Sequence, residues 1–198
     1  YNQVLAALAR HGHVTQAEEF LNSMKQGYIL PDLLSYTILL KAYARSNDCK
    51  KVAKTKALME EATRNHSVDN VFSCAVLEVC ANALPSERTL ARELSTHVFE
   101  KLKPTQRNHL VFLSMAKVIN SVYTDKNNGN IEATSNSEAD RLLTELAEEC
   151  CETGYLSASL LSELRSKSRE VRRWFDENSM RTDWSKHVPP YDRPRQSY

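Results

Sequence analysis

Hydrophobic residues recur along this chain three or four positions apart, the spacing of amphipathic helices, and polar turns separate these helices into pairs. The first pair is predicted over residues 2–10 and 15–26, with a turn at His11-Gly12-His13 and a capping box at Thr15-Gln16-Ala17-Glu18. Later helices are predicted over residues 36–45, 50–61, 72–83, 89–102, 110–123, 137–151, 157–165 and 169–175. The pattern predicts an all-α protein.

The first two helix pairs repeat one plan. Equivalent residues lie 35 positions apart: Tyr1 and Tyr36, and Arg10 and Arg45. Each block then reaches an aspartate, Asp32 or Asp69. A period of this size is typical of an α-solenoid. We therefore expect a right-handed superhelix of about four to five helix pairs, with the last pair capping the hydrophobic end.

Composition divides the chain into three parts. Residues 1–105 carry the repeats, and residues 106–175 carry degenerate helical repeats and a C-terminal cap. A loop rich in Asn, Ser, Thr and Gly is predicted as an insertion at residues 124–136, and an extended tail at residues 176–198. Because residue 1 is a tyrosine inside a repeat, we expect the sequence to begin within a longer protein.

Composition and charge narrow the function classes. The 41% hydrophobic and 26% charged fractions are ordinary, and no apolar run approaches the roughly 18 residues of a membrane span. Five scattered cysteines without a Cys-x-x-Cys pair argue against a disulfide framework and against a zinc site. The net charge is only +1, but residues 1–60 carry three more basic than acidic residues, and residues 138–152 carry five more acidic than basic ones.

The motifs of the first block resemble the pentatricopeptide repeat. They are Tyr-Asn-x-Val-Leu at residues 1–5, Gly-His-Val-x-x-Ala-x-x-Phe at residues 12–20, Met24, and Pro-Asp at residues 31–32 before Ser-Tyr-Thr. The resemblance is close over residues 1–62, extends to residue 105 and is only architectural beyond. Tetratricopeptide repeats place tryptophan differently, and neither Trp174 nor Trp184 fits their pattern.

The resemblance implies single-stranded RNA as partner, with one base per repeat bound on the surface of the first helices. The implied RNA contacts are base-reading pairs Asn2 with Asp32 (uracil) and Thr37 with Asp69 (guanine), base wedges Leu34 and Val71, and phosphate-contacting Arg10 and Arg45. Two simpler interpretations stay open, namely that the polar residues are helix caps and that the arginines are solvated. The third unit pairs Cys74 with Thr105, and the fourth has His109 and Leu110 at the Tyr-Asn position, so base reading fades there.

Enzyme chemistry has little support in the sequence. No His-x-Glu with Cys-x-x-Cys marks a nucleobase deaminase, and no glycine-rich phosphate loop is present. His11-x-His13 is only a two-residue fragment of a metal site. We therefore predict no enzymatic activity, no catalytic residue, no cofactor and no metal.

The family resemblance alone implies a role in a mitochondrion or plastid, in RNA processing, stability or translation. The alternative is a structural scaffold subunit of a large organellar complex, such as a mitochondrial or plastid ribosome, that binds mainly protein. The fading base reader, the acidic residues 138–152 and the tail with Trp184, Pro189 and Pro190 favour this alternative.

Overall fold

The computed structural model describes residues 1–124, 137–178 and 181–194 of the chain. Within these ranges the chain forms α-helices and shorter helical turns and no β-strand, which confirms the all-α prediction. The chain forms two compact units, Tyr1–Leu102 and Lys103–Tyr198.

The first unit consists of three helix pairs. Their bounds are α1 Asn2–Arg10, α2 Val14–Gln26, α3 Leu33–Arg45, α4 Lys51–Asn65, α5 Asn70–Ala81 and α6 Arg88–Lys101. Each helix packs on its partner in the pair, and the first helices stack, with α1 on α3 and α3 on α5. The largest fully buried side chains between them are Leu5, Leu21, Tyr36, Leu39, Leu40, Phe72 and Leu77. The unit is therefore a helical-repeat structure.

Aspartates begin the first helices of the second and third pairs. The Asp32 carboxylate accepts the Ser35 backbone N–H at α3, and Asp69 accepts the Phe72 N–H at 2.8 Å at α5. The capping box predicted at Thr15 is wrong, because α2 already begins at Val14. Its N-cap is His13, which makes no side-chain cap hydrogen bond, so Thr15 lies inside the first helical turn.

Helices α1 and α2 end in the same type of backbone turn with different residues. After α1, Gly12 takes a φ of +77° and the His13 N–H donates to the Leu8 carbonyl at 3.0 Å. After α2, Tyr28 takes a φ of 58° and the Ile29 N–H donates to the Met24 carbonyl at 2.9 Å. A left-handed residue at this position is usually glycine, so Tyr28 holds a strained backbone conformation.

The third pair caps a helix of the second pair. Glu87 is buried, and its Oε1 accepts the N–H groups of Val52 at 3.0 Å and Ala53 at 3.2 Å, at the start of α4. Nearby Lys51 is also buried and donates to the Ser46 carbonyl at 2.9 Å. Burial lowers the pKa of Lys51, and the charge of Glu87 partly offsets that effect. A residue from one repeat thus satisfies backbone donors of another.

The second unit contains four further α-helices among its described residues. They are α7 His109–Val118, which continues as a π-helical turn over Ile119–Tyr123, α8 Ser137–Thr153, α9 Ala158–Lys167 and α10 Arg169–Glu177. Helices α7 and α10 each pack against α8 and α9. Of the insertion predicted at 124–136, residues 125–136 lie outside the described residues.

The extended tail predicted from residue 176 differs from what the structure shows over residues 181–194, which fold back onto this unit. The Leu156 N–H donates to the Trp184 carbonyl at 2.8 Å, and the His187 N–H donates to the Gly154 carbonyl at 3.0 Å. Trp184 stacks on Trp174 with a centroid separation of 5.8 Å, and Val188 is only 2% exposed. Burial of these apolar side chains holds the segment against the helices.

Candidate nucleic-acid interface

Asn2 and Asp32, the first predicted base-reading pair, meet at the ends of two helices. Asn2 is the first residue of α1, and Asp32 is the N-cap of α3. The Asn2 Nδ2 lies 3.2 Å from Oδ1 and 3.1 Å from Oδ2 of Asp32 and donates to this carboxylate. The fold therefore brings together two side chains that are 30 residues apart in sequence.

Ser35 orients both members of this pair, a role that the sequence analysis did not assign. Its hydroxyl lies 2.7 Å from Oδ1 of Asn2 and 2.8 Å from Oδ1 of Asp32, while its N–H donates to the same aspartate oxygen at 2.7 Å. Ser35 is 1% exposed, so its packing fixes this geometry. The Asp-x-x-Ser spacing of a capping box was the available sequence signal. We call Asn2, Asp32 and Ser35 the first joint.

The electrostatic environment keeps the Asp32 carboxylate charged. Partial burial raises its pKa, but hydrogen bonds from Ser35 and Asn2 and the nearby His66 together lower the pKa of Asp32 below its ordinary value of 3.8. The His66 ring is itself held close to this turn, with Nε2 3.0 Å from the Pro31 carbonyl oxygen. The first joint therefore presents an ionised acceptor beside an amide at neutral pH.

The second predicted pair, Thr37 with Asp69, has a different geometry. Thr37 is 3% exposed, and its hydroxyl donates to the Leu33 carbonyl of its own helix at 2.7 Å. Asp69 is exposed and caps α5 through the Phe72 N–H. No hydrogen bond joins Thr37 to Asp69 in the described part of the chain. We call Thr37, Asp69 and Phe72 the second joint, and its guanine preference stays a prediction.

The predicted base wedges occupy equivalent exposed positions. Leu34 and Val71 are the second residues of α3 and α5, and their side chains are 54% and 57% exposed. Leu110, the second residue of α7, is 50% exposed and follows the cap Asn108 in the same way. Two large apolar side chains in solvent at matching repeat positions suit insertion between neighbouring bases.

The structural caps also correct the register of the later repeats. The residue equivalent to Asp32 and Asp69 is Asn108, whose side chain accepts the N–H groups of Leu110 and Val111, each at 3.1 Å. It is not Thr105, which lies in a separate 3-10 turn over Pro104–Gln106. Leu110 therefore corresponds to Leu34, and not to the asparagine of the Tyr-Asn pair.

The two predicted phosphate contacts lie exposed near the ends of first helices. Arg10 is the last residue of α1, and its Nε donates to the Ala6 carbonyl at 3.3 Å. Arg45 is the last residue of α3. Its guanidinium has no partner among the described residues and is available to an anion. The phosphate role of both arginines stays a prediction.

Several other kinds of site are not formed by residues 1–124, 137–178 and 181–194. They contain no cluster of three His, Cys, Asp or Glu side chains placed to hold a metal ion, and no helix with the length and apolar character to cross a bilayer. All five cysteines are free. Burial raises the pKa of the Cys80 thiol to about 12, so it is protonated at neutral pH and a poor nucleophile.

The first unit has stacked helix pairs whose first helices carry matching N-caps and matching exposed apolar residues. These features place it in the class of helical-repeat proteins. Two family models match the chain: one described as the PPR repeat family over residues 1–45, and one described as the PPR repeat over residues 34–62. Residues 1–62 therefore match pentatricopeptide repeats, a kind of repeat that is typically RNA-binding. No curated protein and no solved structure matches it.

Proposed function

We propose that the pentatricopeptide repeats of the first unit bind single-stranded RNA and that the first joint reads a uridine. The joint carries this proposal, because it presents an amide and a carboxylate side by side near an exposed apolar side chain, Leu34. Uracil offers an N–H donor between two carbonyl acceptors. The asparagine amide contains both a donor and an acceptor and matches this edge, and the aspartate fixes the amide in place.

The cellular role we propose follows from the family alone. The protein acts in a mitochondrion or plastid, in the processing, stability or translation of organellar RNA. Two repeats with matching family models give only a short RNA site, since each base contact adds about 1–3 kcal/mol of discrimination. Selection of one transcript therefore requires further contacts from protein or RNA.

A direct test measures fluorescence anisotropy of labelled single-stranded RNA with the full chain, at physiological salt. We expect saturable binding to oligouridine and weaker binding to duplex RNA. Asn2→Ala should raise the Kd for oligouridine about fivefold, the effect of losing one base contact of about 1 kcal/mol. Asn22→Ala is the matched control, because Asn22 is exposed on α2 away from the joint. Absence of saturable single-strand binding by the wild-type chain would contradict the proposal.

A second candidate function is the scaffold role, and the surface of α8 favours it. Glu138, Glu145, Glu148 and Glu152 are exposed and recur at spacings that share one helix face. Such a face repels phosphate and suits a basic protein partner. Glu148→Lys with Glu152→Lys should abolish co-purification with an organellar ribosomal subunit if this role is correct. Unchanged co-purification would argue against it.

A further inference from the structure

The exposed face of α3 carries a regular series of side chains. Leu34, Lys41 and Arg45 are all exposed, and they follow one another at intervals of seven and four residues. These intervals place them on one face of a helix with 3.6 residues per turn. Lys41 and Arg45 have no ion-pair or hydrogen-bond partner within the described residues, so both cations are available on the same face as the predicted base wedge.

The exposed face of α5 repeats this series with one reversal of charge. Val71, Glu78 and Asn82 are exposed at the same intervals, and each lies 37 residues after its counterpart on α3. Glu78 therefore takes the place of Lys41, and Asn82 takes the place of Arg45. The Glu78 side chain has no partner in the described ranges, while the Asn82 amide donates to the Glu78 backbone carbonyl at 2.9 Å.

The two faces are neighbours, because α3 and α5 pack directly against each other. Packed helix axes lie about 8–10 Å apart, which is close to the Debye length of about 8 Å at physiological salt. Salt therefore screens the electrostatic potential of an exposed charge beyond its own helix and the near side of the neighbouring helix. The apolar member of the series is kept from α3 to α5, whereas the cationic members are lost.

We propose that Lys41 is a phosphate-contacting residue and that Glu78 ends the phosphate path at the third repeat, so that RNA leaves the first unit after α3. This inference rests on the proposed RNA-binding function. Helix α5 keeps an exposed apolar side chain, Val71, at the position of Leu34. The Glu78 carboxylate explains why the RNA site nevertheless does not continue onto α5. Phosphate approaching α5 meets an exposed carboxylate where α3 offers an ammonium group.

The test compares three single substitutions in the full chain: Glu78→Lys, Lys41→Glu and the control Glu100→Lys. Glu100 is exposed on α6, a second helix, and its substitution changes the net charge by the same amount as Glu78→Lys. Binding of fluorescein-labelled oligouridine is measured at several salt concentrations, and circular dichroism verifies helicity. Glu78→Lys should lower the Kd about fivefold, within the range of one exposed charge pair. It should also steepen the salt dependence by about 0.7 in log K against log salt, the value for one further phosphate contact on a single strand.

Lys41→Glu should raise the Kd about fivefold and flatten the salt dependence, and Glu100→Lys should leave both near the wild-type values. Equal tightening by Glu78→Lys and Glu100→Lys would overturn the inference, because net charge alone would then explain it. Wild-type binding that neither Glu78→Lys nor Lys41→Glu alters would also overturn it, while leaving the proposed RNA function intact. Failure of the wild-type chain and of Glu78→Lys to bind RNA would overturn both, and the exposed face would then belong to a protein contact.

Discussion

The first and second joints begin alike and differ in what surrounds the cap. In both, an aspartate caps the first helix of the repeat that follows. Of the two aspartates, only Asp32 also accepts a hydrogen bond from a side chain of the preceding repeat, Asn2. Two substitutions between repeats account for this difference. The long amide of Asn2 is replaced by the short hydroxyl of Thr37, and the hydroxyl of Ser35 is replaced by the ring of Phe72. Equivalent positions in a repeat family therefore do not guarantee an equivalent site.

Removing each N-cap aspartate gives the strongest test of the difference between the two joints. Asp69→Ala should cost about 1 kcal/mol of unfolding free energy, the usual value for an N-cap. Asp32→Ala should cost about 2 kcal/mol, because the bonds from the Asn2 amide and the Ser35 hydroxyl are lost in addition to the cap. Urea denaturation of both variants measures the difference. Equal costs would show that the first joint adds nothing to stability beyond its cap.

A second pair of substitutions tests which hydroxyl matters for RNA. Ser35→Ala should raise the Kd for oligouridine about threefold to fivefold, since the Asn2 amide loses the group that orients it. Thr37→Val keeps the side-chain shape and removes a hydroxyl that bonds only within α3, so the affinity for an oligonucleotide that contains a U-G step should be unchanged. Anisotropy titrations decide between them. A loss of affinity in Thr37→Val would show that the second joint reads a base.

Acid titration sharpens the electrostatic side of the comparison. The lowered pKa of Asp32 means that its ionised form stabilises the fold above the unfolded-state pKa near 3.8, and this contribution is lost as the pH falls through the folded-state pKa. Asp32→Asn keeps a good N-cap and removes the charge. Wild type should therefore exceed Asp32→Asn in stability at neutral pH, and the gap should close in acid. A gap that stays constant from neutral pH into acid would refute this.

The smallest effect concerns the turns that lead into the two joints. The turn before the first joint strains Tyr28 in a left-handed conformation, whereas α4 ends at His66 in an extended one. Because Tyr28 is 95% exposed, Tyr28→Gly removes strain without loss of packing and should stabilise the protein by roughly 0.5 kcal/mol. His66→Gly, at an ordinary φ, should destabilise it. Thermal unfolding measures both.

Local sequence rules predicted most of the fold in the first unit. Helix α1 has the expected bounds, since Gly12 supplies a clear stop signal. The start of α2 was misplaced because Thr15 fits a capping box equally well by sequence, and only the chain path selects His13. The folded segment at 181–194 depends on contacts of Trp184 and His187 with residues distant in sequence. A local pattern does not encode such contacts.

The sequence predicted which residues belong to the candidate site, but it did not predict the hydrogen bonds that their side chains make. The repeat period predicted that Asn2 and Asp32 lie together, and their side chains are hydrogen-bonded, because a fixed spacing brings the start of one repeat near its end. It could not show that the Thr37 hydroxyl bonds within its own helix, which depends on side-chain rotamer and burial. Without a tyrosine to mark the fourth repeat, the sequence also misplaced the register that Asn108 reveals.

The buried carboxylate of Glu87 also bears on how the chain folds during synthesis. The ribosome releases residues in order, so the Val52 and Ala53 amides emerge well before the glutamate that accepts them. Until then, these two N–H groups have only water as an acceptor, because the N-cap residue Lys50 supplies no side-chain bond. The second repeat is therefore completed by the third, and the order of translation imposes a delay on its consolidation. Consolidation of the second helix pair therefore depends on a residue of the third.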